Sequence, residues 1–305
     1  MTSPSALAGV IAPVVTPFTA SGEPEAGRFV THARWLLAEG CTALAPFGTT
    51  SEGNSLSVAE RKVLLISLLA AGVDPALLLP GTGVCSAPET VDLTKHAVGL
   101  GCAGVLMLPP FYYKSVSDEG LYRHFAQVIE RVGDDRLRVY LYHIPQNTQV
   151  GFSLKLIERL RKDFPQIVVG MKDSSGDWAN TKMMIEALPG FQVFTSADTS
   201  LLDCLRLGGA GCISATANLN ALMLRQIADA PAKADALQAT ASAVRKEIQA
   251  KPLLSATKSL LAHYRQDATW RNTRAPLEPF AAEDASALAA KLAGLGFKLE
   301  FPPDA

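Results

Sequence analysis

Residues 139–173 read VYLYHIPQNTQVGFSLKLIERLRKDFPQIVVGMKD, and the fold class turns on this stretch. Two short apolar runs, Val139–Tyr142 and Ile167–Lys172, bracket a segment of helical periodicity, Leu154–Asp163, which opens at Ser153. A strand that is apolar at every position, rather than at every second one, is suited to burial on both faces, the condition of parallel sheets covered by helices. The stretch therefore reads as a β-α-β unit. The same alternation recurs outward in both directions. Val10–Val15, Ala43–Pro46, Leu77–Pro80, Gly104–Leu108, Gln192–Thr195 and Gly211–Ser214 bring the expected strands to eight. Helix starts lie between them: Ser57-x-x-Glu60 is a capping box opening a segment that runs to Ala71, and Ser117-Asp118-Glu119 opens Leu121–Val132. Gly40, Gly72 and Gly101 punctuate helix ends.

Eight strands alternating with helices in 305 residues predict an α/β fold, a (β/α)8 TIM barrel. The rival is a doubly wound open sheet, which wants a glycine-rich phosphate turn after an early strand. Gly81-x-Gly83-x-x-Ser86 lacks the third glycine of that fingerprint. Beyond Asn218 the barrel needs no further strand, and Leu222–Ala230, Ala232–Ala250, Leu253–His263 and Glu283–Leu295 read as helices, with Pro276 and Pro279 between the last two. The expected organisation is a barrel over 1–220 and, over 221–305, the final barrel helix and a C-terminal helical extension, the two forming one structural unit.

The composition is that of a globular chain with a large core: 48% hydrophobic and 19% charged. With 28 basic and 29 acidic residues the formal net charge is -1, which excludes a nucleic-acid partner held by bulk electrostatics. The uncharged run Val63–Val73 is 11 residues long, against about 20 needed to cross a bilayer. No basic side chain precedes Arg28, so no signal peptide is visible and a cytoplasmic location is expected. The five cysteines are scattered without a C-x-x-C pair and read as small buried hydrophobes in a reducing compartment. The five histidines never approach metal-ligand spacing, and neither a metal nor an organic cofactor is expected.

In a barrel the reacting groups sit on loops at the C-terminal ends of the strands. Here those ends carry Gly48-Thr49-Thr50-Ser51-Glu52-Gly53, Pro109 to Lys114, Tyr142-His143-Ile144-Pro145-Gln146-Asn147-Thr148, Lys172-Asp173-Ser174-Ser175, and Ser196 with Asp198. Of the lysines, Lys172 alone directly ends an aliphatic strand. Loss of hydration disfavours the charged form of an amine, and a neutral amine attacks a ketone to form a Schiff base. The other reading of Lys172 is a cation paired with Asp173 or Glu52 merely to satisfy charge. Schiff-base chemistry also needs a proton shuttle, which Tyr142 would supply if relayed through Thr49 and a second tyrosine; a tyrosine at a strand end is otherwise a core aromatic with one wet edge. Thr49 and Thr50 are either turn residues before the Ser57 cap or a nest of donors for a carboxylate. No G-x-S-x-G elbow surrounds Ser51, Ser174 or Ser175, and Gly208-Gly209 precedes the last strand rather than following it, which argues against a serine hydrolase and against a phosphorylated substrate.

Gly48-Thr49-Thr50-Ser51-Glu52, the pair Tyr112-Tyr113, Tyr142-x-x-Pro145 and Gly170-Met171-Lys172-Asp173 fall in one order and spacing. Together they resemble the dihydrodipicolinate synthase / N-acetylneuraminate lyase family of class I aldolases, from about Val10 to Pro279. The resemblance extends to Leu207-Gly208-Gly209, Ile213-Ser214 and Arg274-Ala275-Pro276-Leu277. It implies that Lys172 forms the imine with pyruvate or another 2-oxo acid, and that Tyr142 shuttles protons and orients the carboxylate. Thr49 would link Tyr142 to Tyr113, which in this family usually comes from across a dimer interface. Thr50 and the backbone around Ser51 would hold the carboxylate, Ile213 would line the pocket, and Ser196 occupies a position whose backbone often touches substrate. A homotetramer, a dimer of dimers, is implied.

The departures bear on the subfamily. Where true dihydrodipicolinate synthases usually carry an arginine two residues after the Y-x-x-P proline, this chain has Asn147, which lacks the charged bidentate fork. Neuraminate lyases tend to be apolar there. Pro145-Gln146-Asn147-Thr148 looks like the P-x-N-T of 4-hydroxy-2-oxoglutarate aldolases, although those tend to have Ser-Asn in place of Thr49-Thr50. Ser51 stands where glycine is more usual, and His143 where asparagine is common. The expected activity is a lyase acting on small 2-oxo acid and aldehyde substrates: aldol cleavage or condensation of a 4-hydroxy-2-oxo acid or 2-keto-3-deoxy sugar acid, or dehydration. The alternatives are dihydrodipicolinate synthase proper, decided by turnover of pyruvate with aspartate semialdehyde, and a catalytically idle 2-oxo acid binder, which would not need a proton relay.

Overall fold

The computed structural model describes residues 7–301, so the outermost ends of the two expected segments, 1–6 and 302–305, lie outside the described residues. Seven parallel strands form a single curled sheet: β1 (Gly9–Ala12), β2 (Ala43–Leu44), β3 (Val105–Met107), β4 (Val139–His143), β5 (Val168–Asp173), β6 (Gln192–Thr195) and β7 (Gly211–Ile213), in the order β2-β1-β7-β6-β5-β4-β3. The third expected strand, Leu77–Pro80, is the exception. A 3-10 turn occupies Pro75–Leu77, and the chain then runs extended between β2 and β3 without forming a ladder. Leu79 N–H donates to Leu44 O and Gly81 N–H to Pro46 O, both at 2.8 Å, while Leu106 N–H donates to Pro80 O at 2.9 Å. These few bonds close the barrel. Prolines at 75 and 80 lack the N–H that a ladder needs, and Pro46 likewise limits β2.

Helices alternate with the strands, beginning with α1 (Ala26–Ala38), α2 (Val58–Ala70), α3 (Ala87–Gly99) and α4 (Asp118–Val132), then α5 (Pro145–Thr148), α6 (Leu154–Asp163), α7 (Trp178–Ala187), α8 (Leu201–Arg206) and α9 (Ala217–Asp229). Their starts are chemically defined. Ser57 and Glu60 form the reciprocal capping box on α2, and the hydroxyls of Ser117 and Ser153 accept from Gly120 N–H and Leu156 N–H on α4 and α6. Strand residues divide between two apolar compartments by alternation. Val139 and Leu141 of β4 pack outward under the helices, whereas Tyr140 and Tyr142 point inward beside Leu106, Phe194 and Ile213. Each fully buried aliphatic or aromatic side chain of this kind contributes roughly 1.5–3 kcal/mol. At the opposite end of the barrel from the strand termini, β1 and β7 approach so closely that a Cβ on Gly211 (φ +129) would lie 2.0 Å from Gly9 O, and only glycine fits there.

The last three helices, α10 (Asp235–Gln249), α11 (Leu253–Arg265) and α12 (Ala282–Gly294), build a second apolar cluster from Val244, Ile248, Leu260, Leu261, Leu292 and Phe297. Val15, just beyond the C-terminal end of β1, belongs to the same cluster. The extension is thereby packed against the end of the barrel that carries the polar loops. The expected helix Ala232–Ala250 starts later than its sequence pattern indicates, because Pro231–Lys233 forms a separate 3-10 turn. Of the cysteines, Cys41, Cys204 and Cys212 are buried as expected, Cys102 is half-buried, and Cys85 is exposed, contrary to expectation; all five are free thiols. Burial pushes the Cys41 thiol up to about 12.

Candidate active site

Strands β4 and β5 place Tyr142 directly beside Lys172 in register. Both side chains point into the barrel, and their residues are only 2% and 4% exposed. Lys172 Nζ donates to the Tyr142 hydroxyl at 3.3 Å and lies 4.4 Å from its ring centroid. The same hydroxyl is 3.0 Å from Thr49 Oγ1. Lysine, phenol and threonine thus form a connected chain of exchangeable hydrogens, drawn from the ends of two adjacent strands and the turn after β2.

Neither of the two carboxylates able to neutralise Lys172 does so. The Asp173 carboxylate faces the opposite side of β5, where it accepts from Ser175 N–H at 2.9 Å, Asn180 Nδ2 at 2.9 Å and Thr181 Oγ1 at 2.7 Å. Glu52 accepts from Lys258 Nζ at 2.6 Å and from Arg274 N–H at 2.9 Å. Among the described residues the lysines in ion pairs are Lys62, Lys182, Lys258 and Lys291. Among the described residues Lys172 is thus a buried lysine hydrogen-bonded to a phenol and paired with no carboxylate.

The Glu52–Lys258 pair braces the turn that delivers Thr49. Both side chains are fully buried. Glu52 sits in the left-handed region (φ 53), Lys258 Nζ also donates to Thr16 O at 2.8 Å, and Thr16 Oγ1 donates to Ser51 O at 2.7 Å. Burial pushes the Lys258 ammonium below its ordinary value and Glu52 opposes the shift. The turn is also too tight for a side chain at Gly53, whose Cβ would meet Phe47 O at 2.0 Å.

A cavity of about 270 Å³ opens over Lys172 and Tyr142. Thr49, Thr50, Asn147, Ser196 and Ile213 line it, together with Gln146 and Ser174, whose hydroxyl has no partner among the described residues. Two expected site residues lie elsewhere. Ser51 is buried behind the turn and does not line the cavity; its N–H closes the turn onto Gly48 O at 3.2 Å. Tyr113 is 74% exposed on the loop after β3, edge-on to Tyr112, and does not reach Thr49 of its own chain. That loop is tied down by Lys114 Nζ, which donates to Phe111 O and, at 2.8 Å, to Thr148 O. His143 proves structural: its Nδ1 accepts from Phe152 N–H at 3.1 Å, and burial lowers its pKa against the pull of Asp173.

The sequence reading missed Arg245, Leu253 and Leu254, which line the cavity from α10 and α11. A basic residue on a helix normally reads as solvated. The available signal was periodicity, because Arg245 shares a face with the buried Ala241, Val244 and Ile248. No group of three or more His, Cys, Asp or Glu side chains among the described residues is arranged to hold a metal ion.

The sequence profile of the dihydrodipicolinate synthetase family matches residues 6–294. The chain belongs to this family. The family member is 33% identical over 286 residues to an uncharacterized DapA-like lyase of Chloroflexus aurantiacus, covering 92% of this chain and 95% of that one. The crystal structure of dihydrodipicolinate synthase from Agrobacterium tumefaciens superposes with a TM-score of 0.89 at 33% identity, covering 94% of this chain and 99% of that one. YagE, a prophage protein of the dihydrodipicolinic acid synthase family from E. coli K12 solved with pyruvate, superposes with a TM-score of 0.86 at 28% identity over 96% of this chain and 99% of that one. The family member is accordingly an enzyme, a lyase of the class I aldolase type, on a barrel fold that these solved structures share. No helix among the described residues is long and apolar enough to cross a membrane.

Proposed function

We propose that Lys172 forms a Schiff base with pyruvate or a related 2-oxo acid, and that the enzyme reversibly cleaves a 4-hydroxy-2-oxo acid or 2-keto-3-deoxy sugar acid, or dehydrates the latter. The observation that carries this reading is the buried Lys172, hydrogen-bonded to Tyr142 and without a carboxylate partner. The Lys172 amine adds to the C2 ketone, the carbonyl oxygen leaves as water, and a C=N bond replaces C=O. In the cleavage direction the C4 hydroxyl gives up its proton and the C3–C4 bond breaks. Its electron pair moves into the protonated imine, leaving an enamine and a free aldehyde. Protonation of C3 and addition of water then return the 2-oxo acid and the free amine. Tyr142 is the group that accepts and returns these protons, with Thr49 holding its hydroxyl. Thr50 and the backbone of the turn bind the carboxylate, while Asn147, Ser196 and Ile213 border the second half of the substrate.

Tyr113 enters the relay of a neighbouring subunit in this reading. An exposed pair of aromatic rings at Tyr112 and Tyr113 supports it, since such side chains are enriched in protein interfaces. The assembly would be a homotetramer, a dimer of dimers, with the barrel of 1–220 and the extension of 221–305 acting as one unit. Five free thiols fit a reducing cytoplasmic setting. The test is borohydride reduction in the presence of pyruvate, followed by peptide mass mapping: a pyruvate-derived mass on Lys172 is expected, and an unmodified protein defeats the proposal. A panel of 4-hydroxy-2-oxo acids, 2-keto-3-deoxy acids and aspartate semialdehyde with pyruvate then ranks the substrates. Replacing Tyr142 with Phe is expected to slow exchange of the pyruvate methyl protons into heavy water by about 10²–10⁴-fold while the imine can still be trapped. Unchanged exchange would remove Tyr142 from the proton path.

A further inference from the structure

Arg245 enters the cavity from α10 and is 6% exposed. Among the described residues its hydrogen bonds go to neutral oxygens only. Nε donates to Gln249 Oε1 at 2.9 Å, and one terminal nitrogen donates to Ser214 Oγ and Thr216 Oγ1, both at 3.3 Å, near the long limit for such bonds. A carboxylate is close but indirect: the Thr216 hydroxyl that faces Arg245 donates to Asp198 Oδ2, while Asp198 Oδ1 has no partner. The cavity lining holds two basic side chains, Lys172 and Arg245, and no acid. Across the cavity Asn147 is neutral, and Leu253 and Leu254 supply an apolar wall from α11. A guanidinium withdrawn from water without a salt-bridge partner is costly, and a ligand carrying the opposite charge offsets that cost.

We propose that Arg245 is the specificity-determining residue of this enzyme, and that it binds a carboxylate at the end of the substrate distant from the reacting carbonyl. This rests on the Schiff-base reading above, because that reading commits the first carboxylate to the Thr49–Thr50 turn and the ketone to Lys172. A substrate with one carboxylate would leave Arg245 unanswered; a 2-oxo dicarboxylic acid answers both ends. The planar fork of arginine matches a carboxylate in two parallel hydrogen bonds. The charge that Asn147 lacks thus enters the site from the helical extension.

The experiment compares ligands that differ only at the far end. Half-saturating concentrations for borohydride trapping are measured with pyruvate, 2-oxovalerate and 2-oxoglutarate, on the wild type and on Arg245→Gln and Arg245→Lys. Glutarate binding is measured by calorimetry, which needs no imine. The wild type should trap 2-oxoglutarate at lower concentration than 2-oxovalerate. Arg245→Gln should raise the 2-oxoglutarate value about 10- to 100-fold, leave pyruvate and 2-oxovalerate within about threefold, and abolish glutarate binding; Arg245→Lys should recover part of it. Equal losses for all three oxo acids would make Arg245 a structural partner of Asp198 through Thr216 and overturn the proposal. So would a wild type indifferent to the terminal carboxylate, or one that binds a phosphate-ended analogue more tightly than its carboxylate counterpart. Failure of the wild type to trap any oxo acid, with glutarate still bound in an Arg245-dependent way, would overturn the imine and leave the anion site standing.

Discussion

Lys172→Ala is expected to lose every trace of the borohydride adduct and to fall in turnover by at least about 10⁴-fold, in line with the loss of a covalent nucleophile in other enzymes. The fold should tolerate the change, because among the described residues the Lys172 side chain holds no ion pair and its one hydrogen bond is the 3.3 Å contact to Tyr142. Thermal unfolding should therefore stay within a few degrees of the wild type. Binding of the 2-oxo acid carboxylate should persist weakly, since Thr50 is untouched. A variant that still formed an adduct would move the nucleophile to another lysine. A variant that lost activity only because it unfolded would show a collapsed melting transition, which separates the two causes.

Lys258→Ala is expected to have the largest effect on stability. Both members of its pair with Glu52 are fully buried, and removing one leaves a carboxylate in the interior with only Arg274 N–H to answer it. Breaking such a pair costs about 3–5 kcal/mol, a drop of roughly 5–15 °C for a chain of this size. The pair also fixes Glu52 in its left-handed conformation and, through Thr16, the backbone at Ser51. Thr49 and Thr50 belong to the same turn, so the residual folded enzyme should bind the 2-oxo acid more weakly. The matched replacement Lys258→Met with Glu52→Gln removes both charges together and should recover much of the stability without recovering the turn's geometry. A melting temperature that barely moved in Lys258→Ala would show that water reaches the pair.

The hydrogen-bonded line of Lys172, Tyr142 and Thr49 was legible because each ends or follows a strand, and a parallel barrel brings all such ends to one face. The register Tyr142 to Lys172 then puts the amine beside the phenol. What escaped the sequence lies on other kinds of element. Arg245 belongs to a helix that, read alone, is an amphipathic surface helix, and only its packing beside Val244 and Ile248 turns the guanidinium inward. Lys258 is likewise invisible, since nothing in the run Leu253–His263 signals that Glu52, far away in sequence, waits for it. Tyr113, which the family resemblance implies as a relay member, faces outward in its own chain, so a relay role for it would require a second copy. Strand lengths were overestimated where proline intervened: apolar composition marks a buried stave, whereas pairing also needs a backbone N–H.

The barrel wall is uneven around its circumference. Beside Lys172, β4 and β5 pair at five positions, and β5 and β6 at four. Between β3 and β2, the stave after Pro75–Leu77 holds its neighbours by a handful of bonds around Leu79, Gly81 and Leu106. Amide protons report such differences as different opening free energies within one native state. The seam at Leu78–Thr82 should exchange with heavy water well before the wall at Leu141–His143 and Met171–Asp173. The molecule can then breathe at that seam while the amine and phenol stay in register, and a uniform exchange rate around the ring would contradict that division.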